Sequence, residues 1–276
     1  MTAVVPVGIV VAAVLATGLF VRDRLAAITQ SEQRLHATIR QIEARIKQIE
    51  PQILEISAIA AFSSVDVPYP LPLGGHWALA WDAAAILARE VGAGRPMTVV
   101  ELGSGGSSLV IGMQLRHGGR GHLYSLDHDP DFAASTRRHV TALGLDSWVF
   151  VLDAPLVGQR VGDEEYTWYD LPDEVRALER IDILVVDGPP QATDREGTPR
   201  YPALPILGDK LGPGSLVFVD DAFRDAERRM LERWLRDQPH WVSQTIRTLR
   251  GTAILRWPHG AGGEALVPQQ VPGDQS

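Results

Sequence analysis

The chain has no cysteine. Disulfides, thiolate nucleophiles and Cys-ligated zinc or iron–sulfur centres are therefore excluded. Lysine is nearly as scarce. Lys47 and Lys210 are the only two, and Arg supplies the rest of the Lys and Arg total. The sequence shows no basic stripe with interleaved aromatics, and its net charge is −8. Both features argue against a nucleic-acid partner. What is present is ordinary for a folded chain: 45% hydrophobic and 22% charged residues. A length of 276 residues suffices for one large α/β domain plus an appendage.

Charge is also missing from residues 3–21, an apolar run that includes Val7, Ile9, Val10, Leu15, Leu19 and Phe20. The run approaches the ~20 residues that span a bilayer. No Lys or Arg precedes it, and Ala16-Thr17-Gly18 is a poor cleavage site, which disfavours a signal peptide. Arg22 and Arg24 follow at once, so the positive-inside rule places the rest of the chain in the cytoplasm. The expectation is a single-pass plasma-membrane anchor over residues 1–21. The alternative is a buried N-terminal helix.

From Leu25 the apolar residues step by three and four, through Ile28, Leu35, Ile39, Ile42, Ile46, Ile49, Ile53 and Ile56, with Glu32 the polar exception. This heptad pattern predicts a coiled-coil stalk over residues 22–60 and a homo-oligomer. Ile at both a and d positions favours three or four strands over two. The alternative is a single amphipathic helix lying on the domain's own surface. Pro51 kinks or restarts the helix. Residues 61–75 carry Pro68, Pro70 and Pro72 and read as an extended linker. A domain spans 76–258, and residues 259–276 form a disordered tail.

Within 76–258 strands and helices alternate, which predicts a parallel sheet covered on both faces. A helix over 76–91 precedes it. The strands fall at Thr98–Leu102, His122–Asp127, Trp148–Leu152, Ile181–Asp187 and Ser215–Asp220, and a hairpin of Trp241–Thr248 with Thr252–Trp257 closes the domain. Helices lie at Ser107–Arg116, Asp131–Leu143, near Asp173–Leu178, at Ala203–Leu211 and at Phe223–Arg236. Asp127, Asp153, Asp187 and Asp220 all stand at C-terminal strand ends, the edge where open α/β sheets bind ligands.

The organising stretch is residues 98–108, Thr-Val-Val-Glu-Leu-Gly-Ser-Gly-Gly-Ser-Ser. A buried strand runs into a glycine turn, and Ser107 and Ser108 open a helix. That is a nucleotide-type cradle. The Gly-x-Gly-x-x-Gly dinucleotide fingerprint fails, because its third glycine position is Ser108.

Glu101–Ser107 is joined by Tyr-Ser-Leu-Asp-His-Asp-Pro at 124–130 and Val-Val-Asp-Gly-Pro-Pro at 185–190. Together they resemble a class I S-adenosylmethionine-dependent methyltransferase across roughly residues 75–258. The resemblance implies a Rossmann-like seven-stranded α/β sheet with helices on both faces, here preceded by the transmembrane and coiled-coil helices. It implies S-adenosyl-L-methionine as cofactor, bound by Glu101, Gly103, Ser104, Gly105, Ser107, Asp127, His128, Asp153, Ala154 and Asp187. Glu101 would lie near the methionine end and Asp127 would accept the ribose hydroxyls. Asp153 and Ala154 would border the adenine, although Asp153 also reads as a loop cap. Asp187 would lie below the transferred methyl group.

Asp187, Asp220 and Asp221 form a set of hard oxygen donors suited to Mg2+ or another divalent cation. This is similar to the catechol-type O-methyltransferases. Two departures stand against it: residues 188–191, Gly-Pro-Pro-Gln, hold no Lys base, and Asp221 equally reads as the cap of the helix from Phe223. The runs at 187–190, 200–205 and 220–224 resemble a membrane-anchored bacterial branch of the superfamily.

The candidate catalytic set is Asp187, Asp221, Arg200 and His76. Arg200 would hold a phosphate or carboxylate of the acceptor, or would form a salt bridge to Asp220 or Asp221. His76 or His128 would serve as base. The expected activity is O-methylation of a small-molecule, glycan or lipid-linked acceptor at the cytoplasmic membrane face. The alternative is a catalytically inactive methyltransferase-fold scaffold.

Overall fold

The computed structural model describes residues 21–22, 24–25, 28–42, 45, 79–92, 97–190 and 197–258. The chain divides into two units, residues 1–53 and 54–276. In the first, residues 28–42 form a helix, α1. Ile28, Leu35, Ile39 and Ile42 are exposed along it, and the steps of seven, four and three put them on one face. The expected anchor (Val21 apart), most of the stalk beyond residue 42, the 61–75 linker and the tail fall outside the described residues. Among the described residues no helix is long and apolar enough to cross a membrane.

The second unit is built on seven strands in the order β3-β2-β1-β6-β7-β9-β8. These are β1 (Thr98–Leu102), β2 (His122–Asp127), β3 (Val149–Asp153), β6 (Ile183–Val186), β7 (Leu216–Val219), β8 (Val242–Ile246) and β9 (Thr252–Arg256). The strands from β3 through β7 pair in parallel, while β9 runs antiparallel to both β7 and β8. The expected seven strands are all present. The structure adds a pair absent from the sequence expectation: β4 (Leu156–Val161) and β5 (Glu164–Tyr169) form a separate antiparallel hairpin between β3 and the next helix.

Side chains of the central strands alternate between two cores. Val99, Ile183, Val185 and Phe218 face one, with α2 (Trp81–Val91), α3 (Gly106–Gly118) and α4 (Pro130–Ala142). Val100, Leu102, Leu184, Val217 and Val219 face the other. That core is closed by the hairpin, by the short α5 (Asp173–Arg176) and α6 (Ala203–Leu207), and by α7 (Asp225–Asp237). Every residue of β6 and β7 is buried. Strands covered on both faces leave polar groups a place chiefly at the strand ends.

Helix α3 packs closely on β3. A Cβ on Gly112 would overlap Val149 Cγ2 and lie 3.2 Å from Leu145 Cδ1, both in the core. Gly112→Ala is expected to lower stability by about 1–3 kcal/mol, the range for overfilling a packed core. Urea unfolding of the two proteins measures the difference.

Candidate active site

The glycine turn leaves β1 at Leu102 and enters α3 at Gly106. Gly103 has φ +100°, which L side chains rarely adopt. A Cβ there would also press within 3.3 Å of the Gly188 nitrogen. The N-cap residue is Gly105, which has no side chain to cap α3. Instead Ser108, one turn in, accepts the Gly105 N–H through its hydroxyl at 3.0 Å.

Below the turn lies Glu101, wholly buried in the middle of the sheet. Its Oε2 accepts hydrogen bonds from Ser108 Oγ at 2.5 Å and Ser125 Oγ at 2.6 Å. Oε1 has no partner among the described residues. Burial pushes this carboxyl up to about 7, against the pull of the serine hydroxyls around it. A carboxylate oxygen with nothing to bind complements a cationic group such as the amino group of S-adenosylmethionine. With the open turn above it, the chain fits that cofactor.

Asp127 ends β2. One of its oxygens accepts from Ser104 N at 3.1 Å and Ser104 Oγ at 2.5 Å, and the other from Asp129 N at 3.0 Å. The carboxylate thus holds the turn in shape, and its remaining lone pairs suit ribose hydroxyls. His128 Nδ1 lies 3.6 Å from Asp127 Oδ1. Ala154 is buried and its N–H bonds Asp127 O at 2.7 Å. The Asp153 side chain is 59% exposed and pairs with Arg137 at 2.7 Å, so it ties β3 to α4.

A second cluster sits where β6 and β7 end. Asp187, Asp220 and Asp221 bring carboxylate oxygens within 4.8 Å of one another. Both oxygens of Asp220 are buried without partners among the described residues, and burial pushes its carboxyl up to about 8 with help from Asp187 and Asp221. Arg200 is buried among these groups. Its guanidinium lies 3.1 Å from Asp221, 3.6 Å from Asp187 and 3.5 Å from Glu227, and it donates to the Asp220 carbonyl at 3.2 Å. Arg200 is therefore committed to carboxylates rather than offered to an acceptor. Asp221 has φ +61° and pairs with Arg224 at 2.7 Å. It does not cap the next helix, which starts at Asp225 behind Arg224 with no side-chain cap. Asp187, with 19% of its side chain exposed, is the one carboxylate of the three that is not fully buried. Burial raises its proton affinity and Arg200 opposes the rise.

His76 lies outside the described residues. Sequence reasoning misses three groups at this edge: Ser125, which stands in the 124–130 motif but without its role as a partner of Glu101, and Glu227 and Tyr169, which stand in none. The Gly162-Asp163 pair between two short runs is a hairpin signal, and it leads to Tyr169.

A carboxyl raised in the folded state favours that state while protonated. The Glu101 contribution is present below the ordinary value of 4.5 and is lost as pH rises through about 7. Glu101→Gln should remove this dependence. Relative to the variant, wild-type unfolding free energy should fall by on the order of 3 kcal/mol between pH 4.5 and about pH 8, measured by denaturant titration.

No curated protein matches the chain. Residues 100–222 match the family described as methyltransferase domain. A putative O-methyltransferase of Klebsiella pneumoniae has a similar structure: 16% identity, TM-score 0.52, covering 76% of this chain and 100% of that one. Also similar is the O-methyltransferase of Streptomyces achromogenes involved in tomaymycin synthesis, solved with S-adenosylmethionine. It has 16% identity, TM-score 0.49, and covers 74% of this chain and 89% of that one. The Klebsiella structure supports the fold, and the matched residues hold the glycine turn, Asp127, Asp187 and the Asp220-Asp221 pair. A methyltransferase domain is thus what residues 100–222 match, on the fold that the Klebsiella structure shares.

Proposed function

We propose that the enzyme methylates a hydroxyl oxygen of a small-molecule, glycan or lipid-linked acceptor. The observation that carries this reading is the carboxylate cluster at the ends of β6 and β7, beside the glycine turn. S-adenosyl-L-methionine supplies the electrophilic methyl group when bound. A hydroxyl nucleophile must lose its proton, and Asp187 is the carboxylate of the cluster that remains partly exposed. A carboxyl whose proton affinity is raised by burial is a better base than an exposed one. Arg200 and Arg224 hold Asp221 and so fix the floor of the cluster. The resemblance of the Klebsiella structure, a putative O-methyltransferase, agrees with oxygen as the target.

The unpartnered oxygens of Asp220 support a second element, a divalent cation held by Asp187, Asp220 and Asp221. Hard oxygen donors suit Mg2+ or Mn2+, and the ion would act as a Lewis acid on the acceptor hydroxyl.

The uncharged run at 3–21 supports a single-pass plasma-membrane anchor that keeps the domain at the cytoplasmic face. The exposed apolar face of α1 supports self-association through the stalk. Leu35→Glu with Ile39→Glu should lower the mass of the detergent-solubilised full chain by light scattering. An unchanged mass removes the oligomer.

Calorimetry with S-adenosylhomocysteine tests the cofactor site. The wild type should bind, and Asp127→Ala should lose about tenfold or more in affinity. A strain lacking the protein should accumulate the unmethylated acceptor, and Asp187→Asn should fail to restore the product. Mg2+ or Mn2+ should raise the melting temperature of the wild type but not of Asp220→Asn. Equal shifts in both proteins exclude the cation.

A further inference from the structure

Two loops at the catalytic edge hold apolar side chains in solvent. One follows β7 and carries Phe223; the other joins β8 to β9 and carries Leu249. Strand β9 runs antiparallel to both β7 and β8, so both loops fall at the edge that carries Asp220. They are bonded to each other. Ala222 N–H donates to Gly251 O at 2.9 Å, and Phe223 N–H to Arg250 O at 3.2 Å. Phe223 is 49% exposed and Leu249 51%.

Both positions are fixed. A Cβ on Gly251 would overlap the Phe223 ring, so the ring rests on bare backbone and turns its remaining surface to water. Leu249 N–H donates to Asp82 Oδ2 at 2.7 Å, which ties the second loop to the start of α2. A lone exposed apolar side chain is ordinary, whereas two fixed together at a functional edge point to a partner.

The same loops carry Arg224, Arg247 and Arg250. Arg224 and Arg250 lie 2.7 Å and 3.7 Å from Asp221, whose own side chain is buried. Their side chains stay 41% and 24% exposed, and Arg247 is exposed. The surface therefore turns guanidinium outward and keeps its carboxylate inside, on a chain whose net charge is −8. The acidic side chains nearby are engaged. Asp82 accepts the Ala83 and Leu249 N–H groups, and Asp225 pairs with Arg228. Phe132, exposed at the start of α4, is flanked by Asp129 and Asp131 instead.

A Phe and a Leu set among arginines match the interface of an anionic bilayer. The apolar groups enter the acyl boundary while the guanidiniums stay at the lipid phosphates. The uncharged run at 3–21, proposed above as an anchor, would keep such a bilayer within reach.

We propose that the loops at 220–224 and 247–251 form a docking surface for an anionic phospholipid bilayer, which sets the catalytic edge on the headgroup layer and makes the acceptor a lipid-linked one. This rests on the methyltransferase reading of the site and on the anchor. It selects one of the acceptor classes proposed above.

The chain has no cysteine, so a single introduced thiol carries a label alone. Leu249→Cys and Phe223→Cys put an environment-sensitive fluorophore in the patch, and Leu249→Cys keeps the backbone N–H that Asp82 holds. Val242→Cys, exposed at the far end of β8, is the control. The full-length variants are reconstituted into vesicles of phosphatidylcholine, alone or mixed with phosphatidylglycerol. In the mixed vesicles, emission at 223 and 249 should shift to the blue and be quenched by brominated acyl chains, while emission at 242 stays as in water. Adding Arg247→Glu, or high salt, should return the 249 signal toward its value in water.

Labels at 223 and 249 that stay water-like overturn the proposal, and the anchor stands if the chain still floats with the vesicles. Equal quenching at all three positions overturns it as well. So does a blue shift that brominated lipid leaves unquenched, because another protein surface then covers the patch. A chain that floats with neither vesicle removes anchor and docking surface together. The labels need no cofactor, so failure of the methyltransferase reading is seen separately, in the calorimetry with S-adenosylhomocysteine. In that case the lipid-linked acceptor falls while the labels still report the surface.

Discussion

A carboxyl group held inside an apolar sheet sets the terms for the whole catalytic edge. Glu101 and Ser125 are register partners on adjacent parallel strands, and Ser108 stands one turn into α3. Both hydroxyls meet on one carboxylate oxygen. That single atom therefore ties together a strand, its neighbour and the helix that follows the turn. Slipping β2 by one residue would carry Ser125 to the opposite face and leave the carboxyl half-satisfied. With the start of α3 fixed, the Gly103–Gly105 turn has little freedom. Ser104 then falls where Asp127 can hold it. The apolar cores of the domain stabilise it, but the polar bonds around Glu101 decide where the turn lies.

The second concentration of buried charge works differently. Asp187, Asp220, Asp221 and Glu227 crowd around Arg200 in a region largely closed to water. Buried ion pairs of this kind contribute little net stability, because desolvation offsets the attraction. Asp221 adds backbone strain, with φ +61° in a non-glycine residue. Such strain persists only where surroundings enforce it, and here Arg200 and Arg224 grip the side chain. Charge and strain placed together at one strand end, at no gain to the fold, fit a region shaped for chemistry.

The sheet is legible in the sequence because its signals are local. Ile183–Val186 and Leu216–Val219 are apolar without interruption, as strands covered on both faces must be. In Thr98–Leu102 the one buried charge, Glu101, stands directly before the glycine turn and marks the site rather than hiding the strand. The strand-end carboxylates are readable for the same reason. The hairpin is not readable that way. Its strands pack on α7 through Arg233, 69 residues from Glu164, and no periodicity in 156–169 encodes that contact. Arg200 poses a different difficulty. Sequence places it at the right edge with two open roles, and only the three-dimensional closeness of Asp187, Asp221 and Glu227 chooses the ion pairs. Glu227 lies on a helix whose surface is rich in charge, so nothing in its neighbours in sequence marks it as buried.

The hairpin joins the rest of the domain through a narrow neck. Pro155 and Asp170 flank it, and the Asp170 N–H bonds the Pro155 carbonyl at 2.8 Å. The chain leaves the domain body and returns at nearly one point. Residues 156–169 therefore form a cassette whose length and tip can change without displacing β3 or α5. Such an insert can be altered at its tip while Glu101, the turn and the strand-end carboxylates stay in place.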